Sequence, residues 1–180
     1  MEKEPRLTAD RLRPFGSTIF AEMSALAQET QAINLSQGFP DFQGPDRLIQ
    51  AAIEAMQQGH NQYARSQGAP PLVQAIAKHR RHFYDLDYDP NTEVGVYCGA
   101  TEAIAACLLG LLNAGDEVIL FEPYYDSYPA CLAMTDAIPR YCTLRAPDFA
   151  FDPGELEALF SDKTKLIVIN SPHNPSGKVF

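Results

Sequence analysis

Three short stretches carry residue types that could do chemistry together. In 99-GATE-102, small residues follow an apolar run and open a helix-like pattern. The first amides of a helix lack internal partners, and the helix dipole favours an anion beside them. With only Gly99, Ala100 and Thr101 in the way, a phosphate could approach that backbone closely; a tight strand-to-helix turn with no ligand explains the residues equally well. In 122-EPYYDSYP-129, Tyr125 offers a face that could stack on a planar ring. Plain packing is the alternative for an aromatic at a strand end. In 170-NSPHNPSGK-178, Asn174 is flanked by Pro172 and Pro175 and carries a carboxamide able to donate to a phenolate oxygen. Stabilising its own turn is the competing role. Amides, a ring and a carboxamide together suit a flat, anionic, oxygen-bearing ligand.

Other chemistries find less support. There is no GxGxxG, and Ser176-Gly177-Lys178-Val179 lacks the upstream glycine and the following Ser/Thr of a P-loop. His60 and His173 have neither a metal partner nor a nucleophile in the sequence and read as structural.

The elements that must position these stretches follow from periodicity. Residues 18–30 place Ile19, Met23, Leu26 and Ala27 on one side of a helix. The Gly- and Pro-rich 33-INLSQGFPDFQGP-45 reads as an irregular loop. Asp46 is expected to cap a helix reaching about Gln58, and a third helix spans Leu72 to Tyr84. Strand and helix then alternate: Val94–Cys98, Thr101–Leu112, Glu117–Phe121, Tyr125–Met134, Arg140–Leu144, Pro153–Phe160 and Lys165–Asn170. Such alternation predicts an α/β fold with a mostly parallel sheet flanked by helices. In open sheets of this kind, ligands bind beyond the carboxyl ends of the strands, where the three stretches fall.

Bulk properties restrict the partners. The chain has 180 residues, 46% of them hydrophobic, and a formal net charge of -9. That acidity argues against nucleic acid or an anionic membrane as partner. A phosphate ligand remains compatible, because backbone donors bind it locally. No apolar run approaches the ~20 residues of a membrane span. Cys98, Cys107, Cys131 and Cys142 form no CxxC pair and sit among apolar or small neighbours, which predicts reduced core thiols and a cytoplasmic protein.

Taken in order, INLSQGFPDF, NQYARSQGAPPL, GATEAI, GDEVILFEPYYDSY and NSPHNPSGKVF resemble the class I/II aminotransferases that use pyridoxal 5'-phosphate (PLP), nearest the methionine aminotransferase and kynurenine–oxoglutarate transaminase branch. The resemblance covers about residues 18–180. It implies PLP-dependent transferase fold type I, with residues 1–45 an N-terminal arm of the small domain and 46–180 the first half of the large PLP-binding domain. It also implies roles for particular residues. The backbone amides of Ala100 and Thr101 would hold the PLP phosphate, Tyr125 would stack on the pyridine ring, and Asn174 would bond the phenolic oxygen and border the substrate. Gly38 would meet the substrate carboxylate through its backbone. Tyr63 would reach the phosphate of a neighbouring subunit, which implies a homodimer.

The lysine to which such enzymes attach PLP, the aspartate at the pyridine nitrogen and the arginine on the substrate carboxylate all lie beyond Phe180 in the family's order. Lys3, Lys78, Lys163, Lys165 and Lys178 are not in the serine-rich context that the family uses, so no catalytic residue is assigned within residues 1–180. The expectation is therefore a truncated N-terminal part, inactive alone. The parent would move an amino group from an amino acid of methionine or aromatic type to a 2-oxo acid. The alternatives are a C–S β-lyase on the same fold, or a non-catalytic aminotransferase-like module.

Overall fold

The computed structural model describes residues 8–38 and 40–180. The chain forms two compact units. One is Ile19–Cys98. The other is Gly99–Phe180, joined by the N-terminal segment that ends at Thr18.

The first unit is helical. Helix α1 spans Ile19–Thr30, α2 Asp46–Gln57 and α3 Pro70–Tyr84. The expected Asp46 cap is not made: Pro45 occupies the cap position, and Asp46 stands in the first turn without a capping bond. Helix α3 opens on two prolines, whose fixed φ suits a first turn that needs no amide donors. It closes on Asp85 in the left-handed conformation, with the Asp85 amide donating to the carbonyls of Arg80 and Arg81. Val73 is its buried anchor. Gly68 passes so close to this layer that a Cβ there would lie 2.6 Å from Val96 Cγ2.

The expected strand at 94–98 is corrected by the structure. That segment is not a strand; its Val96 amide donates to the Gln67 carbonyl at 3.0 Å. Apolar residues supply strand propensity, but a strand also needs a ladder partner, and the described residues supply none here.

The second unit holds the sheet. Helix α4 (Ala100–Leu111) leads to β1 (Glu117–Glu122), α5 (Ser127–Ala133), β2 (Ile138–Thr143), α6 (Pro153–Ala158) and β3 (Thr164–Val168). The strands are parallel in the order β2-β1-β3. Glu117 pairs with Ile138 and Glu122 with Thr143 on one side, while Leu120 pairs with Val168 on the other. Strand alternation splits the core in two. Val118 and Leu120, with Tyr141, Leu166 and Val168, pack with Leu108, Leu112 and Leu132 of the α4–α5 layer. Phe121, Cys142 and Ile167 face the other way and meet Leu144, Phe149, Phe151, Leu156 and Leu159. Covering both faces explains why VILF is an unbroken apolar run rather than an alternating one.

The cysteine expectation is half corrected. Cys131 and Cys142 are buried, but Cys98 and Cys107 are exposed. Among the described residues there is no cluster of three metal-ligating side chains. Among the described residues no helix is long and apolar enough to cross a membrane.

Candidate functional site

Parallel strands share a direction, so the loops leaving β1 and β3 emerge at one edge of the sheet and from neighbouring strands. The loop after β1 carries Tyr125, and the loop after β3 carries Asn174. Helix α4 is joined to the start of β1 by the short turn 112–116, and its first residues are Ala100 and Thr101. The opposite edge is closed by Ser161 Oγ donating to Glu117 Oε2 at 2.7 Å, and by the Glu117 amide bonding the Lys163 carbonyl at 2.8 Å. Lys163 and Lys165 therefore stand away from the candidate site.

The start of α4 has the features an anion seat requires. Gly99 is its cap residue at φ 91, ψ 166, and no side chain caps the helix. Ala100 and Thr101 follow with small side chains, while Glu102 is exposed in the same first turn. The first stretch proves to be a helix start after an irregular segment, not the end of a strand.

Tyr125 precedes α5 rather than opening it, since the helix begins two residues later than expected. Its ring stands edge-to-face with Tyr128, with centroids 5.8 Å apart. The loop that bears it is fastened to β2. Thr143 Oγ1 donates to Glu122 Oε1 at 2.8 Å, the Leu144 amide donates to the Glu122 carbonyl at 2.7 Å, and Tyr124 stacks on Tyr141 at 5.4 Å. On β2's far side Glu155 accepts from the Thr143 amide and pairs with Arg145 at 2.7 Å. The Arg145 guanidinium holds the Glu155 carboxyl below its usual range. Burial pushes the Tyr128 and Tyr141 hydroxyls up, so both rings stay neutral. Next to Tyr125, Asp126 Oδ2 and Ser127 Oγ are buried without a hydrogen-bond partner.

The loop of Asn174 resolves one ambiguity of the sequence. Asn170, not Asn174, spends its side chain on the turn: Asn170 Oδ1 accepts the Asn174 amide at 2.7 Å. Asn174 itself is exposed. His173 is buried, and its Nδ1 lies 2.7 Å from Ser176 Oγ.

Gly38 and Tyr63 belong to the other compact unit. Gly38 is exposed in the irregular loop after α1. Tyr63 is fully exposed and rims an open groove of ≈ 650 Å³ with Gly59, His60, Arg65 and Pro70.

Sequence reasoning did not reach Glu122, Thr143 and Tyr141, which hold the Tyr125 loop. A threonine at the carboxyl end of the expected strand 140–144 was the available signal, but its partner lies 21 residues away in sequence.

Comparison with known proteins identifies the family. The aminotransferase class I and II family matches residues 30–180. A probable N-succinyldiaminopimelate aminotransferase of Mycobacterium tuberculosis is 51% identical over 176 residues, covering 96% of this chain and 44% of the relative. The solved structure of that M. tuberculosis activity superposes with a TM-score of 0.91 at 50% identity, over 96% of this chain and 45% of the other. Methionine aminotransferase of Escherichia coli is 44% identical over 180 residues, the whole of this chain and 47% of the relative. An E. coli structure described as having methionine aminotransferase function gives a TM-score of 0.92 over 98% of this chain and 46% of that one. Kynurenine–oxoglutarate transaminase 3 of Mus musculus is 39% identical over 187 residues, covering 96% of this chain and 40% of the relative. The chain thus spans about half the length of the curated relatives that it matches. By fold and by sequence, it belongs to the class I and II aminotransferases, a family of PLP-dependent enzymes.

Proposed function

We propose that these residues are the N-terminal part of a PLP-dependent aminotransferase, and that Ala100, Thr101, Tyr125 and Asn174 form its share of the cofactor site. The observation that supports the reading most is that the aromatic loop and the exposed carboxamide leave the carboxyl ends of two neighbouring parallel strands, while α4 opens without a side-chain cap. PLP, when bound, supplies the electron sink for the carbanion formed at the amino acid's Cα.

The chain's own residues bind and orient. The amides of Ala100 and Thr101 donate to the phosphate, with the α4 dipole behind them. The Tyr125 ring covers one face of the pyridine, excluding water from it. Asn174 Nδ2 donates to the phenolic oxygen and fixes the ring's rotation. Gly38 offers its backbone to the substrate carboxylate, and Tyr63 serves the phosphate of a second copy in a homodimer. Residues 1–45 act as the arm of a small domain, and 46–180 as half of the PLP-binding domain. The protein works in the cytoplasm, where its thiols stay reduced. The group that moves the proton comes from sequence outside these residues.

The substrates are an amino donor of methionine or aromatic type and a 2-oxo acid acceptor. A second donor, N-succinyldiaminopimelate, is favoured by the 51% identity to the mycobacterial relative that bears its name. The test is a transamination assay of the full-length protein with methionine, phenylalanine, kynurenine and N-succinyldiaminopimelate, each with a 2-oxo acid. Turnover of one donor class with release of its oxo acid is expected. No transfer from any donor, or no visible absorbance from added PLP, would overturn the reading. Pyruvate release from a cysteine S-conjugate without transfer would favour the β-lyase instead.

A further inference from the structure

We infer that His173 is a positioning residue for Asn174, acting through Ser176; the inference rests on the proposed meeting of Asn174 with PLP. His173 and Asn174 are neighbours with opposite environments. Among the described residues His173 is the one polar residue buried as a whole, 4% exposed, whereas Asn174 is exposed. Burying an imidazole is unfavourable unless its nitrogens are bonded, so its burial here marks a bond the turn depends on.

That bond is to Ser176. Nδ1 lies 2.7 Å from Ser176 Oγ, and the hydroxyl closes it with either tautomer, as donor or acceptor. The same Oγ accepts the Lys178 amide at 3.2 Å. Around this centre the backbone folds on itself. The His173 amide donates to the Lys178 carbonyl, and the Gly177 amide to the His173 carbonyl, both at 2.7 Å. Gly177 holds φ +74, which glycine adopts freely. The segment 173–178 is therefore a closed loop with a hydroxyl and an imidazole at its hub.

The hub is fixed to the sheet. The His173 ring meets Phe180 edge-on at 5.9 Å; Phe180 lies 5.7 Å from Phe121 and 6.2 Å from Phe151. Phe121 belongs to the buried core under β1. On the other side, Asn170 Oδ1 holds the Asn174 amide at the exit of β3. Asn174 is thus suspended between two anchors, and its own side chain is spared. Losing the Ser176 hydroxyl would free one anchor and let the carboxamide sample wrong directions, without removing any group that touches the ligand.

The experiment uses the full-length protein with PLP bound and compares Asn174→Ala, Ser176→Ala, Ser176→Thr, His173→Asn and the Asn174→Ala/Ser176→Ala double variant. Three quantities are read: the pH midpoint of the cofactor's visible absorbance, the Kd for PLP, and the Tm. Ser176→Ala is expected to shift the midpoint in the same direction as Asn174→Ala and to weaken PLP retention roughly two- to ten-fold, the scale of one hydrogen bond. The double variant should be no worse than Asn174→Ala alone, because both act through one contact. Ser176→Thr, which keeps the hydroxyl, should restore the midpoint. His173→Asn, which keeps a donor near Nδ1 but loses the ring, should lower the Tm while holding the midpoint near the parent value. A Ser176→Ala protein that loses Tm alone, or effects that add in the double variant, overturns the positioning role and leaves Asn174's role standing. An Asn174→Ala protein unchanged in midpoint and Kd overturns both.

Discussion

Gly99 shows how much a single residue contributes here. Its φ of 91 with ψ 166 lies in a region essentially closed to side chains, while a Cβ at that point would meet nothing within 4 Å. The cost of Gly99→Ala is therefore conformational rather than steric, about 1–3 kcal/mol. Thermal unfolding should show a lower Tm, and PLP retention should fall, because α4 would start elsewhere and its free amides would turn from the ligand. A Tm within error of the parent would mean that the glycine conformation is not required. His173 gives a second residue-scale prediction. Burial lowers its pKa below the usual histidine value, so the neutral ring is the one the fold accepts. The unfolded chain, with an ordinary pKa of about 6.5, binds the proton more readily as pH drops below that value, so stability is lost with falling pH until the folded pKa is passed. The other three histidines, His60, His79 and His82, are exposed. Urea midpoints measured from pH 7.5 to 5.5 should fall for the parent and flatten for His173→Gln. Equal slopes would place the pH sensitivity elsewhere.

At the scale of elements, two aspartates at helix starts separate what a sequence displays from what a fold decides. Asp152 precedes Pro153 and has Glu155 three residues on, and in the structure its Oδ1 accepts the Glu155 amide at 2.9 Å. Asp46 is the first residue of an equally clear helix but makes no cap, because Pro45 has taken the position. Asp152→Ala should therefore cost about 1 kcal/mol and Asp46→Ala far less, since only the first loses a capping bond. Denaturant midpoints of the two variants test this, and equal losses would contradict the assignment. The same logic explains which parts of the fold were legible. β1 and β3 were read correctly within a residue or two because helices cover both faces of the sheet and leave continuous apolar runs. The segment 94–98 has a comparable pattern yet no strand, because pairing depends on a partner that local sequence does not contain. Likewise GATE, Tyr125 and Asn174 were visible as motifs, each a few residues long. The Glu122–Thr143 bond and the Phe180–Phe121 contact that steady them join residues 21 and 59 positions apart, and no local pattern encodes such pairs.

Across the whole molecule, apolar surface is the unresolved demand of the sequence. In the helical unit Ile19 and Leu26 of α1 and Leu48 and Met56 of α2 are exposed; in the sheet unit Ile169, Val179 and Phe180 are. Among the described residues the sheet has three strands, so β2 and β3 each keep one unpaired edge there, and Ile169 sits where β3 ends. An exposed edge with an apolar residue beside it is a template for pairing with another chain. The net charge of -9 opposes association at long range, but salt screens that repulsion beyond about 10 Å at 0.1 M, while edge pairing acts in contact. The 180-residue chain purified alone should therefore bind a hydrophobic dye and self-associate with rising concentration, more strongly as salt is added. Ile169→Lys places a charge at the edge and removes no buried contact, since Ile169 is 65% exposed. It should reduce both dye binding and association in sedimentation experiments while leaving the unfolding midpoint nearly unchanged. If the variant associates as strongly as the parent, the sticky surface is the α1–α2 face, and Leu26→Lys with Leu48→Lys becomes the variant that must relieve it. A parent chain that stays monomeric and dye-silent at high concentration and high salt would show that the exposed apolar residues are too dispersed to act as a surface at all.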